Sequence, residues 1–204
     1  MLIKICGITR EEEIYEINEL KPDYIGFVFA NSKRKVTIEQ VKKLYKKLNK
    51  SIRAVGVFRD NDEEFILNIL KEVPLDVVQL HGNEDISFIK SLKEKVTCDI
   101  WKAITINSKE DIRNLNKYPI NTIVLDGSNP GEGKTFNWNM LRGVNINKRI
   151  ALAGGINESN VEEGIKSINP TIIDVSSGVE EMDEKGLYKS KDKMEILIKK
   201  VRMF

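Results

Sequence analysis

A single histidine, His81, and two cysteines, Cys6 and Cys98, are all that the sequence offers in imidazole or thiol groups. A zinc site would be short of ligands with that supply, so no metal is expected. No Cys-x-x-Cys pair or Cys/His cluster occurs, and a disulfide between the two thiols is not expected of an intracellular chain. No apolar run approaches the length of a bilayer span, and no charged-then-apolar leader opens the sequence. The expectation is a cytoplasmic protein with no membrane partner. Charge of one sign is also lacking: Lys+Arg 33 against Asp+Glu 31 leaves a net charge of +2. No stretch gathers basic residues with aromatics into a stripe, which argues against nucleic acid as a partner. Linkers, low-complexity tracts and internal boundaries are missing too. Residues 1–204 are therefore expected to form one domain, long enough to bury a full core.

What is present is an alternation. Short β-branched runs predict strands at Leu2–Cys6, Tyr24–Phe29, Arg53–Phe58, Asp76–Leu80, Asp99–Ile104, Thr122–Asp126, Arg149–Ala153 and Thr171–Ser176. Between them, apolar residues recur at helical spacing: Ile14, Ile17 and Leu20; Ile38, Val41 and Leu44; Ile86, Ile89 and Leu92; Val161, Ile165 and Ile168; Met194, Leu197 and Val201. Thr37, Asn61 and Asn157 stand where helix caps are expected. Eight strand–helix units of about 25 residues each have the count and rhythm of a closed parallel (βα)8 barrel near its minimum size. A doubly wound open sheet is the rival, but it prefers a glycine-rich first turn, and only Gly7 follows the first run. The stretch Gly127–Trp138 carries weak signals and reads as a long loop with a short helix after it.

Barrel geometry sorts side chains by alternation. Lys4 and Cys6 face inward on the first strand, Gln79 and His81 on the fourth, Val124 and Asp126 on the sixth, and Asp174 and Ser176 on the eighth. Polar groups thus converge on the carboxyl ends of the strands, where barrel active sites are built. Cys6 and Asp126 each end a strand just before a glycine, a thiol and a carboxyl suited to proton transfer. By itself a strand cysteine is most often a small buried hydrophobe, and an Asp before Gly most often caps a turn. His81 reads as pocket lining without a proton-transfer role. Lys4 and Asp174 on neighbouring strands read as a buried ion pair, with direct contact to a substrate as the other possibility. Ala153-Gly154-Gly155-Ile156 and Ser176-Ser177-Gly178, after strands seven and eight, supply backbone N–H groups and hydroxyls for a phosphate grip. The candidate phosphate ligands are Gly154, Gly155, Ser176, Ser177 and Gly178. Trp101 and Trp138 read as packing residues.

In order along the chain, Lys4-Ile5-Cys6-Gly7-Ile8-Thr9, Gly26-Phe27-Val28-Phe29-Ala30, Ser32-Lys33-Arg34-Lys35-Val36, Gly56-Val57-Phe58, Val78-Gln79-Leu80-His81-Gly82, Leu125-Asp126-Gly127, Gly131 to Trp138, Leu152-Ala153-Gly154-Gly155-Ile156 and Asp174-Val175-Ser176-Ser177-Gly178-Val179-Glu180 resemble the phosphoribosylanthranilate isomerases of tryptophan biosynthesis. The resemblance implies an Amadori rearrangement of a phosphorylated small-molecule substrate without a cofactor. It implies Asp126 as general acid, Cys6 as general base and Arg34 as the contact for the anthranilate carboxylate, a fork suited to that anion. Glu132 and Asn137 depart from the commonest family pattern, and Gly186-Leu187-Tyr188-Lys189-Ser190 keeps a further family stretch loosely. The rivals are another sugar-phosphate barrel isomerase and a non-catalytic barrel that binds a phosphorylated ligand. Monomer and homodimer both stay open.

Overall fold

The computed structural model describes residues 1–127, 135, 137–141 and 143–204. Eight strands, β1 (Leu2–Cys6), β2 (Tyr24–Val28), β3 (Arg53–Phe58), β4 (Val77–Leu80), β5 (Asp99–Thr105), β6 (Thr122–Asp126), β7 (Arg149–Leu152) and β8 (Ile172–Val175), pair in sequence order into a closed barrel. All the pairings are parallel, and β8 returns to β1 with Lys4 in register with Asp174. Each expected strand is found, its bounds shifted by a residue or two at most.

Inward and outward residues build two separate cores. Ile3 and Ile5, Val78 and Leu80, and Ile123 and Leu125 join the helix-facing core with Ile14, Val41, Ile89 and Leu197. Tyr24, Val55, Val77, Trp101, Val124, Ala151 and Ile172 fill the barrel instead. Each buried aliphatic side chain contributes on the order of 1.5–3 kcal/mol, so a one-residue slip in any strand would forfeit several such terms at once. Bulk sits low in the barrel, where Tyr24 meets Trp101 edge-on with ring centroids 5.0 Å apart. Small residues, Ala30, Ala103 and Ala153, stand near the carboxyl ends. The interior is plugged below and open above, and the packing role expected of Trp101 is the one it has.

The helices are α1 (Glu11–Leu20), α2 (Ile38–Lys47), α3 (Glu63–Glu72), α4 (Ile86–Lys95), α5 (Lys109–Asn114), α6 (Val161–Ile168) and α7 (Lys191–Arg202). Thr37 caps α2 as expected, in a reciprocal box with Gln40. Two caps differ from expectation. Asp62, not Asn61, accepts from Phe65 N and starts α3, because a full carboxylate answers the helix N-terminus better than an amide. Asn61 turns back to accept from Arg59 N. Asn160 precedes α6, while Asn157 holds the turn before it through Ser159. Among its described residues, unit six has a 3-10 turn, Trp138–Leu141, started by the Asn137 side chain accepting from Asn139 N. Glu132 lies outside the described residues.

One element was not expected. Glu180–Asp183 and Gly186–Lys189 form an antiparallel hairpin, β9 and β10, after β8. Its strands are charged and short, without the β-branched alternation that marks a strand in sequence. Arg10 holds it from the β1–α1 side, donating to both Asp183 carboxylate oxygens at 2.6 and 2.9 Å and to the Gly186 carbonyl at 2.8 Å.

Candidate active site

The carboxyl ends of the strands open into one cavity of about 440 Å³. Cys6, Arg34, His81, Asp126, Asp174, Gly154, Gly155, Ser176 and Ser177 all line it. Gly178, the remaining candidate phosphate ligand, stands behind that wall with its α-carbon against the Ile156 carbonyl. A Cβ there would stand 1.9 Å from that carbonyl oxygen, so a glycine is what lets the β8 loop lie this close to the β7 loop.

Cys6 ends β1 opposite Gly26 of β2, its register partner. A Cβ at Gly26 would stand 2.7 Å from the Cys6 Sγ, so that glycine makes the room the sulfur occupies. Burial pushes the Cys6 thiol above its ordinary value; Lys4 and Lys189 pull it back down, and Asp174 adds to the rise. The thiol is therefore protonated in the ligand-free protein at neutral pH.

Asp126, at the tip of β6, is buried and held from two sides. Its Oδ1 accepts from the Gly127 N–H at 2.8 Å, and its Oδ2 lies 2.9 Å from His81 Nε2. Gly154, with φ of 77°, brings the β7 turn against this carboxyl, where a Cβ would stand 2.6 Å from Oδ1. Gly154 thus shapes the acid's pocket as well as bordering the cavity. His81 lines the cavity, as its place in the sequence suggested, and it also touches Asp126, a pairing across 45 residues that no local motif announces.

The floor carries the ion pair read from strand alternation. Lys4 Nζ donates to Asp174 Oδ2 at 2.7 Å, with both side chains buried. Against burial, which favours the neutral amine, Asp174 and Cys6 hold Lys4 above its ordinary value. Asp174 Oδ1 has no hydrogen-bond partner among the described residues, nor does Gln79 Oε1, and both residues line the cavity. Two orphaned acceptors on a cavity floor suit hydroxyl donors from a ligand. The two readings of Asp174 are thus compatible: one oxygen pairs with Lys4 and the other stays available.

Arg34, in the loop after β2, donates to Glu180 through Nε at 2.5 Å and Nη2 at 2.7 Å. Glu180 also receives Lys189 Nζ at 2.6 Å, and that ammonium reaches the Ser176 Oγ and carbonyl at 3.1 Å each. Against the burial that favours its neutral form, Arg34 and Lys189 hold the Glu180 carboxyl down to about 2. Ser176 in turn donates to the Cys6 carbonyl at 2.9 Å. Neither Glu180 nor Lys189 was singled out from sequence for a role at the site. Their only signal was position, in the stretch straight after a candidate phosphate loop. A further buried pair, Lys102 Nζ with Glu84 Oε2 at 2.9 Å, braces the turn that carries His81: Lys102 also donates to the Gly82 carbonyl, and Glu84 accepts from Gly82 N.

No group of three or more histidine, cysteine or carboxylate side chains is placed to hold a metal among the described residues. No helix among them is long and apolar enough to cross a membrane. A closed parallel barrel with a thiol, a carboxyl and glycine-rich turns around one carboxyl-end cavity defines a (βα)8-barrel enzyme that acts on a small molecule.

Residues 3–200 match the family model described as N-(5'-phosphoribosyl)anthranilate (PRA) isomerase. The chain is 46% identical over 200 residues to the N-(5'-phosphoribosyl)anthranilate isomerase of Clostridium kluyveri, with 98% of this chain and 97% of that one covered. Monomers generated from the dimeric phosphoribosylanthranilate isomerase of Thermotoga maritima superpose with a TM-score of 0.88 at 34% identity, covering 100% of both chains. A phosphoribosylanthranilate isomerase in complex with reduced 1-(o-carboxyphenylamino)-1-deoxyribulose 5-phosphate superposes with a TM-score of 0.87 at 32% identity, again over 100% of both chains. The chain belongs to the phosphoribosylanthranilate isomerase family, and with it to the isomerases that interconvert an aldose and a ketose.

Proposed function

We propose that this chain is a cytoplasmic enzyme of tryptophan biosynthesis. It catalyses the Amadori rearrangement of N-(5-phosphoribosyl)anthranilate to 1-(2-carboxyphenylamino)-1-deoxyribulose 5-phosphate, with residues 1–204 acting as one catalytic barrel. The observation that carries the reading is that Cys6 and Asp126, from β1 and β6, open into the same cavity. Asp126 gives its proton to the furanose ring oxygen, and the C1–O bond breaks as the lone pair of the anthranilate nitrogen forms the C1=N bond of a protonated Schiff base. His81 orients the carboxyl for that transfer through its 2.9 Å contact. Cys6, as thiolate, removes the proton from C2 to give an enaminol, which becomes the ketose by gaining a proton at C1 as the proton of its C2 hydroxyl leaves.

The positive charge of the Schiff base assists Cys6 when it is needed. A cation formed next to a desolvated thiol favours its ionisation, so the base is strengthened by the intermediate it attacks. Arg34 receives the anthranilate carboxylate, Asp174 Oδ1 and Gln79 Oε1 the sugar hydroxyls, and the turns at Gly154–Gly155 and Ser176–Ser177 the phosphate, with Gly178 letting the two loops lie close together.

Steady-state fluorescence assays with freshly made phosphoribosylanthranilate test the reading. Cys6→Ala and Asp126→Asn should each lower kcat by at least about a hundredfold, the usual scale of a lost acid or base, with melting curves near wild type. Near-wild-type turnover in either variant would remove that residue from its role. A wild-type protein that binds the phosphorylated product without turning substrate over would favour the non-catalytic barrel.

A further inference from the structure

The buried carboxylate of Glu180 has no place in the steps above, yet it makes the densest set of charged contacts at the cavity mouth. It meets Arg34 through two bonds and Lys189 through one, with its own side chain 8% exposed, Arg34 13% and Lys189 1%. An arginine has four flexible torsions and costs up to about 2 kcal/mol in rotamer freedom to immobilise. Here that freedom is already spent before any ligand arrives, because Glu180 grips the Nε–Nη2 edge of the fork. The other edge is left over: Arg34 Nη1 makes no hydrogen bond among the described residues, and Arg34 is part of the cavity lining. Lys189 secures Glu180 from the far side and ties it to Ser176 of the β8 loop. The charge sum also favours an anion. One carboxylate shared by two cations leaves a net positive mouth, whereas a second carboxylate on the protein would have neutralised it.

We propose that Glu180 is a positioning residue for substrate recognition: it holds Arg34 by one edge so that the remaining edge of the guanidinium is presented to the carboxylate of the aromatic amine. The inference rests on Arg34 being the carboxylate contact in the proposed isomerase. Its action passes through Arg34, so its removal acts on binding of the carboxylate-bearing substrate and not on the proton-transfer steps.

A double-mutant cycle in the isomerase assay tests this, with wild type, Arg34→Met, Glu180→Gln and the double variant. Glu180→Gln keeps the shape of the side chain and removes its charge. The expected result is a KM raised about tenfold or more, the scale of one charge-assisted fork contact, with kcat moved far less. In the Arg34→Met background the same change should move KM by less than about twofold, since two changes acting through one group do not add. Additive KM effects, or a wild-type KM in the single variant, would overturn the proposal. Should Glu180→Gln melt below the assay temperature, Glu180→Asp takes its place, keeping the charge but shortening its reach. A raised KM that disappears with Arg34→Met supports the inference there, and an unchanged KM overturns it. A wild-type protein with no turnover of phosphoribosylanthranilate is a separate outcome, which sinks the isomerase reading and this inference with it.

Discussion

At the scale of single residues, the cysteine at the end of β1 sits under opposing pressures. Burial and Asp174 keep its proton on; Lys4 and Lys189 draw it off, and the first pair prevails in the ligand-free protein. The reaction of Cys6 with iodoacetamide should therefore rise with pH through a midpoint above the ordinary thiol value of about 8.5. Measured in a Cys98→Ser background, so that one thiol reports, Lys189→Met should move that midpoint higher still, because one of the two opposing cations is gone. A midpoint below 8.5 in the parent protein, or a downward shift in the variant, would contradict the balance described. That Cys6 and Asp126 face one cavity was legible in sequence because each closes a strand before a glycine, where parity fixes which way the side chain faces. Glu180 was not. Its partners lie 146 residues upstream and 9 downstream, and nothing in a local pattern encodes a meeting of that kind.

At the scale of elements, the eight strands were readable because a buried parallel strand needs an apolar, β-branched run. The hairpin was not, since its stability comes from Arg10 and from the Tyr188–Glu181 contact, not from its own alternation. Helix starts were readable to within a turn: Asn61 and Asn157 are one to three residues early, because several polar residues compete for each cap. The turn after β4 shows a bracing that sequence concealed. Lys102 points to the outer side of β5 among apolar neighbours and is satisfied there by Glu84 and the Gly82 carbonyl. Lys102→Met should leave Glu84 buried and unpaired, at a cost of about 3–5 kcal/mol in urea unfolding. Adding Glu84→Gln should recover part of that loss. A double variant that loses the sum of the two single effects would show that the residues are not coupled.

For the molecule as a whole, closure depends on the seam between β1 and β8. Lys4 and Asp174 are register partners across it, and their ion pair is the polar centre of an otherwise apolar wall. Asp174 is pushed above its ordinary value by burial first, with Lys4 opposing. Lys4→Met removes the opposing charge, so a loss of about 3–5 kcal/mol is expected at pH 7. The sign with pH follows from the same shift. An acid whose folded value is raised destabilises the fold as pH climbs past its unfolded value, so the deficit of the variant should shrink as pH falls toward 4. A deficit that stays constant over that range in denaturant titrations would mean the pair contributes through packing alone.

That seam joins positions 170 residues apart, and the hairpin that secures Arg34 comes later still. A nascent polypeptide on the ribosome can lay down strand after strand, but until its final segments emerge it carries an open sheet with two raw edges and a sulfur facing bulk water. Catalytic competence is therefore acquired only once the eighth strand and the hairpin after it have been made. A product stalled near the seventh strand would be an aggregation hazard for the cell, not a slow enzyme.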